Sequence, residues 1–583
     1  MGRAEMSKHL LVMSIGPVQK FISAARRTRD LWFGSYALSE ISKAAAREVS
    51  GRGGKLIFPA PNSKEDLEQD SPLNVANVIL CELNGPDPRD VAERAKAAAK
   101  RRWREFADDA RSRVGESVRE DIWESQVDDV IEFSAAWVRV TDRYTEDRKH
   151  LMRLLAGRKQ CFDFQPARGV QGVPKSSLDG LRESVLAMGG GGIHLAPGEQ
   201  LDVIGVVKRE AEVKWVAAGN GAYPSVARIA ADPWLRGLTP EERTGFREAT
   251  GCLQPQIARI DKKKYPQFKS FPFDGTVCFP SRYAELETDG EADRSIMGLR
   301  AAIGAVRAGE ADPYLAVLVA DGDHVGAALS RISDANGHRN FSQALAKFSE
   351  SAAKIIAEHQ GVAVYCGGDD VLALVPVDMA LQCAAALARA FRDKMQPFGG
   401  EPPPTLSVGV AIGHFMEPLE DLLEYGREAE GHAKRPRAAD AGQTPRDSLA
   451  VHLHKRGGGP VFFRENWGRR PDEHLKILAE SLNAGALSHR IAADLERLAR
   501  VYDRWPEESA RDAITKDTRQ VLAGKRPRHG GNGKAMARLD GLVEAIVTDA
   551  VSLRRLASGI LIARQLASAL RQVEGRRAEE EAE

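Results

Sequence analysis

Cysteine is scarce in this chain. Six occur in 583 residues, Cys81, Cys161, Cys252, Cys278, Cys366 and Cys383, and none form a Cys-x-x-Cys pair. That usage suits a reducing cytoplasm and leaves no four-cysteine zinc knuckle. A lone Cys161 and His194 read as buried spectators rather than as ligands. No apolar run approaches the ~18–20 residues of a membrane span. Arg3, Glu5 and Lys8 ahead of the first apolar run do not make a signal peptide. A cytoplasmic location is therefore expected. Excess charge is also missing: the formal net charge is +1, which argues against a general polyanion binder. Any contact with a polyanion should therefore be local. At about 150 residues per domain, the length predicts roughly four domains. No internal repeat is visible at the level of residue identity.

What is present centres on Gly361–Pro376. Two strand-length apolar runs flank Gly367, Gly368, Asp369 and Asp370, which predicts a tight hairpin. Glycine permits positive φ and close approach of a phosphate to the backbone. Two adjacent carboxylates at a hairpin tip repel each other unless a cation sits between them, and such oxygen-rich sites suit Mg²⁺ or Mn²⁺. Taken alone, the four residues fit an ordinary acidic turn equally well.

The surroundings favour the metal reading. The apolar run from Pro313 enters Asp321, Gly322 and Asp323, and a helix is predicted from near Gly326. If that strand pairs with the hairpin, Asp321 joins Asp369 and Asp370, and three carboxylates suffice for a two-metal centre. Backbone amides from Gly322 to Gly326 would then face a triphosphate. The alternative for Asp321 and Asp323 is turn formation and helix capping. Apolar spacing predicts helices over Phe341–Ile356, Met379–Met395 and Pro418–Lys434, and a strand over Thr405–Ile412. Strand, helix, hairpin, helix, strand is the order of a ferredoxin-like palm. Lys434 and Arg435 close the last helix, either to reach phosphate oxygens or to complement its C-terminus.

Elsewhere the reading is coarser. The fold class is α+β, with a first palm over residues 1–210, a mixed helical region over 211–305, the palm with the hairpin over 306–465 and a helical bundle over 466–583. A strand is predicted at Lys55–Pro59, a charged helical stretch over 88–158, and a strand over Leu201–Lys208 completing the first sheet. Lys100–Arg104 reads as a solvated helix face, with nucleic-acid contact as the alternative. Gly189–Gly192 reads as a loop. Ile491, Leu495, Leu498 and Tyr502 make a bundle-facing stripe. The basic loop Gly524–Lys534 suits an RNA backbone or plain solvation equally. Lys455–Pro460 is a further candidate for nucleotide or RNA contact.

The opening stretch Ile15–Ser35, together with Pro174–Asp179, Gly198–Arg209, Asp321–Asp323 and the GGDD hairpin, resembles the large signature subunit of type III-B CRISPR effectors, the Cmr complex. The resemblance spans most of residues 8–465. It implies two facing palms, the second bearing GGDD, and synthesis of a nucleotide second messenger from ATP when the complex binds foreign RNA. It further implies other protein subunits, a guide RNA and a target RNA as partners. Many relatives begin with an HD nuclease domain. This sequence opens close to the first palm and contains no His-Asp dipeptide, so no HD nuclease is expected. The catalytic and metal-ligating residues would be Asp321, Asp369 and Asp370. Gly322, Asp323, Gly326, Gly367, Gly368, Lys434 and Arg435 would bind nucleotide. A non-catalytic scaffold subunit and a templated polymerase are the alternative readings.

Overall fold

β1 (Lys8–Gly16) is apolar on both faces, with six consecutive buried residues, and therefore sits inside a sheet rather than at its edge. In the computed structural model, which describes residues 8–115, 117–161, 169–187, 193, 195, 198–211, 223–251, 253, 257–286, 290–488, 490–503, 505, 507–524 and 533–575, β1 pairs antiparallel with β3 (Val78–Asn84) on one side and β4 (Glu132–Arg139) on the other. β2 (Lys55–Phe58) completes the order β2-β3-β1-β4. Helices Thr28–Gly51 and Pro88–Val114 pack together on one face of this sheet, burying Leu31, Phe33, Trp103 and Phe106.

Two expectations fail here. The stretch 88–158 is not wholly helical, because β4 interrupts it and supplies the fourth strand. Leu201–Lys208 supplies no strand: Val203–Glu210 is a helix, capped by the Asp202 carboxylate accepting from Gly205 N at 2.8 Å. The β-branched residues suggested a strand, but tertiary contacts decide. Lys208 and Arg209 are adjacent, and both are buried in polar company. Lys208 Nζ donates to Ala24 O (2.8 Å), and burial lowers its pKa to about 8. Arg209 bridges Asp30 and Glu199, each at 2.8 Å. Arg29 donates to the carbonyls of Lys208 (2.6 Å) and Ala211 (2.9 Å), and Arg26 to Ser177 O (3.1 Å). Ile15–Ser35 and Gly198–Arg209 thus close on one buried polar knot, and Pro174–Asp179 joins them at its exposed rim.

The second sheet has the order β10-β9-β8-β5-β7-β6. Its members are β5 (Tyr314–Asp323), β6 (Val362–Gly367), β7 (Asp370–Val375), β8 (Thr405–His414), β9 (Ser448–Leu453) and β10 (Val461–Asn466). Helices Ala335–Glu358, Val377–Met395 and Leu419–Lys434 connect them. The run β8-β5-β7-β6 repeats the connectivity of β4-β1-β3-β2 in the first sheet, while β9 extends it in parallel with β8. Helices from Pro471 to Val573 pack beyond β10, and Ile491, Leu495 and Tyr502 are buried among them as their spacing predicts. Helix Ala335–Glu358 also closes over the edge strand of the first sheet: Arg339 donates to Leu56 O at 2.9 Å and pairs with Glu82 at 2.5 Å.

Arg102 and Arg104 are engaged by Glu105, Glu124 and Asp128, and Trp103 is buried, so most of Lys100–Arg104 is occupied within the chain. Gly189–Gly192, His194, Cys252 and most of Gly524–Lys534 lie outside the described residues. No described helix is long and apolar enough to cross a membrane.

Candidate functional site

β6 and β7 form a hairpin with a two-residue turn, Gly368-Asp369, in which Gly367 pairs with Asp370. Gly368 has φ +70°, a conformation costly for any residue with a Cβ. Its carbonyl accepts from Ser349 Oγ at 3.1 Å, which ties the tip to helix Ala335–Glu358. On the other side, Asn74 Nδ2 donates to Cys366 O at 3.0 Å, so a loop of the first domain touches the hairpin.

β7 pairs with β5 up to Ala320↔Val371, and the next step sets Asp321 beside Asp370. Oxygens of Asp321, Asp369 and Asp370 all lie within 4.8 Å of one another. Gly322 makes this approach feasible. A Cβ there would lie 2.7 Å from Asp369 Cβ and 2.7 Å from Val325 Cγ2. Burial raises the pKa of Asp369. Burial, then Asp369 and Glu430, push Asp370 up to about 7. The donor set is all oxygen, anionic and crowded, which fits Mg²⁺ or Mn²⁺.

Lys434 closes the cluster. Its ammonium contacts the Asp321 carboxylate and lies 3.0 Å from Glu430. Burial first, then Arg446 and Arg435, lower Lys434 to about 8. The helix carrying it lies close on the sheet because Gly409 and Gly426 leave no side chain in the gap: a Cβ on Gly426 would lie 2.8 Å from Val319 Cγ2. Arg435 caps this helix and is exposed, as is Gly326 in the short helix Val325–Arg331.

Asp323 departs from expectation. It is 1% exposed and accepts from Thr405 Oγ1 (3.0 Å), Ser407 Oγ (2.8 Å) and Asp447 N (3.0 Å), so it ties β5 to β8 and to the start of β9 instead of facing nucleotide. Lys455–Pro460 forms the turn between β9 and β10, at the sheet end away from Asp321. Glu430 is the group the sequence reading missed. Burial, then Asp323, raise it to about 7. Its position four residues before Lys434 on one helical face was the available signal.

Comparison with known proteins places this geometry. Residues 314–448 match the model of the Cas10/Cmr2 second palm domain, and residues 10–108 match the N-terminal model of CRISPR-associated protein Cmr2. Over these two stretches the chain carries the features of a Cas10/Cmr2 second palm domain and of a Cmr2 N-terminal domain. The CRISPR system Cmr subunit Cmr2 of Pyrococcus furiosus is 32% identical over 230 residues, covering 34% of this chain. That match spans only 25% of the relative's length. Among solved structures, the type III-B Cmr-beta complex in its apo state contains a chain similar at TM-score 0.63 and 13% identity, over 94% of this chain and 82% of that one. The same complex bound to cognate target RNA gives TM-score 0.62 at 13% identity, over 93% and 83%. At such identity the likeness concerns the fold.

Proposed function

We propose that this chain is the nucleotide-synthesising large subunit of an RNA-guided type III-B CRISPR effector. On target RNA binding it converts ATP into a cyclic oligoadenylate or a related AMP product. The observation that carries this reading is the meeting of Asp321, Asp369 and Asp370 at a hairpin tip of the second palm. The first sheet, with its matching strand order, is read as a facing palm that completes the nucleotide cleft.

In this reading Asp321, Asp369 and Asp370 hold Mg²⁺ or Mn²⁺. The bound metal would supply charge neutralisation on the triphosphate and a more acidic attacking hydroxyl. The chain's own residues position and neutralise. Gly322, Gly367 and Gly368 keep the backbone bare where a nucleotide approaches. Lys434 holds its ammonium at the carboxylates, where phosphate oxygens would gather, and Glu430 steers it there. Exposed Arg435 is free to follow the outer phosphates. Asp323 stiffens the floor beneath Asp321.

The test is incubation of the assembled complex, with its guide, partner subunits and matching target RNA, with labelled ATP and Mg²⁺ or Mn²⁺. Cyclic or short adenylates that vanish in the Asp369→Ala/Asp370→Ala variant support the proposal. A long template-dependent product would instead indicate a polymerase. No product from an intact complex would leave a scaffold.

A further inference from the structure

A second cluster of ligand atoms lies on the same domain, away from the acidic site. His452 on β9 and His454 just after it are two residues apart, so both face one side of the sheet. That side carries helix Leu419–Lys434, where Tyr425, Glu428 and His432 form one row. Tyr425 stacks on His454 with ring centroids 3.7 Å apart. His432 Nδ1 lies 2.9 Å from His452 Nε2, and His432 Nε2 lies 2.7 Å from Asp440. Ligand atoms of Glu428, His452 and His454 all lie within 4.8 Å of one another.

A hydrogen-bond chain runs from His452 through His432 to Asp440. The Asp440 carboxylate accepts, so His432 Nε2 donates to it. In the tautomer that continues this chain, His432 Nδ1 accepts from His452 Nε2–H. This leaves His452 Nδ1 with a bare lone pair. That atom is buried and has no hydrogen-bond partner among the described residues, and the same holds for His454 Nε2. His452 is 0% exposed. An unpartnered nitrogen at such a place is unfavourable unless something fills it. A ligating imidazole whose other nitrogen donates to a fixed acceptor is the arrangement that orients histidines on metals.

We propose that Glu428, His452 and His454 form a zinc site, with His432 and Asp440 orienting His452. Two imidazole nitrogens and one carboxylate oxygen suit Zn²⁺, and a water would complete a tetrahedron. Zinc bonds of about 2.0–2.1 Å set ligand atoms roughly 3.4 Å apart. The needed contraction falls on Glu428, the exposed member of the row. The ion would pin helix Leu419–Lys434 to β9, and that helix ends in Lys434 at the acidic cluster. The two sites are distinct: His452 is level with Val317 on β5, four residues from Asp321, or roughly 13 Å along the strand.

The test is zinc titration of the chelator-treated full chain, read by calorimetry, by melting temperature and by cobalt substitution. Three proteins are compared: the unaltered chain, Glu428→Gln/His454→Gln, and Asp369→Asn/Asp370→Asn. One zinc equivalent should raise the melting temperature of the unaltered chain and of the Asp369→Asn/Asp370→Asn variant alike. Cobalt at the site should give the visible bands of four-coordinate geometry. Glu428→Gln/His454→Gln should lose affinity by on the order of 100-fold or more. No zinc equivalent in the unaltered chain overturns the proposal. So does undiminished binding in Glu428→Gln/His454→Gln, or loss of the zinc equivalent in Asp369→Asn/Asp370→Asn.

Discussion

Gly322→Ala isolates how closely the end of β5 must approach the hairpin tip. The added methyl would sit 2.7 Å from Asp369 Cβ, where ordinary contact begins at 3.4 Å. It would also meet Val325 Cγ2 at 2.7 Å. Relief requires the two segments to part by roughly 0.7 Å. Asp369 Cβ is not the far end of a flexible chain. It is fixed by the Gly367↔Asp370 pairing and by Ser349 Oγ on the Gly368 carbonyl. The tip itself must move, and Asp369 moves away from Asp321. Overpacking of this kind costs about 1–3 kcal/mol, or a melting-temperature drop of several degrees for a unit of this size. A shift near 1 Å at a reacting centre costs on the order of 100-fold in rate. The variant should therefore fold, assemble and melt a few degrees lower, while adenylate synthesis by the target-bound complex falls about 100-fold. Gly431→Ala is the control. It lies in helix Leu419–Lys434, its Cβ would meet nothing within 4 Å, and it should stabilise by up to about 1 kcal/mol without changing turnover. If Gly322→Ala keeps both its melting temperature and its turnover, the close approach described here is wrong.

Asp369→Ala/Asp370→Ala should reduce adenylate synthesis by at least ~10³-fold, about 4 kcal/mol of barrier, while co-purification with partner subunits persists. In metal-free protein, Asp370 and Glu430, both raised to about 7, bind protons that the unfolded chain has already released. Their contribution to stability is therefore full at low pH and declines as pH rises from about 4 to about 7, then levels off; melting curves with chelator should show this decline, and Asp370→Asn should flatten part of it. Arg209→Met leaves Asp30 and Glu199 buried without their partner and should cost about 3–5 kcal/mol in denaturant melts, a loss that lysine does not restore because it cannot bridge two carboxylates in a fork.

The second palm was readable because its signals are local. The Gly367–Asp370 turn, the apolar period of Phe341–Ile356 and the unbroken strand Thr405–Ile412 each declare themselves within a dozen residues. Asp321 could be placed beside the hairpin from strand order alone. Asp323 could not be assigned in the same way. It shares a strand and a residue type with Asp321, yet the hydroxyls of Thr405 and Ser407 on the facing strand claim it. Which of two nearby aspartates stays open to solvent is decided by the neighbouring strand.

The misreadings share that cause. β4 is an edge strand of mostly half-buried residues, and its short uncharged run Phe133–Val138 holds a serine and two alanines, so it shows no alternating apolar pattern. Val203–Glu210 carries strand-like residues, but a single capping aspartate and two buried cations sharing one knot favour a helical turn. Glu428, His452 and His454 form no motif in sequence, because their meeting depends on β9 lying parallel to β8 beneath the helix that joins the two. A crossover of that kind brings residues 24 positions apart into one ligand set, and the same helix delivers Lys434 to Asp321 at its far end. One element thus serves both clusters. Its seating against the sheet is set by Gly409 and Gly426, positions whose lack of a side chain gives no hint of either site.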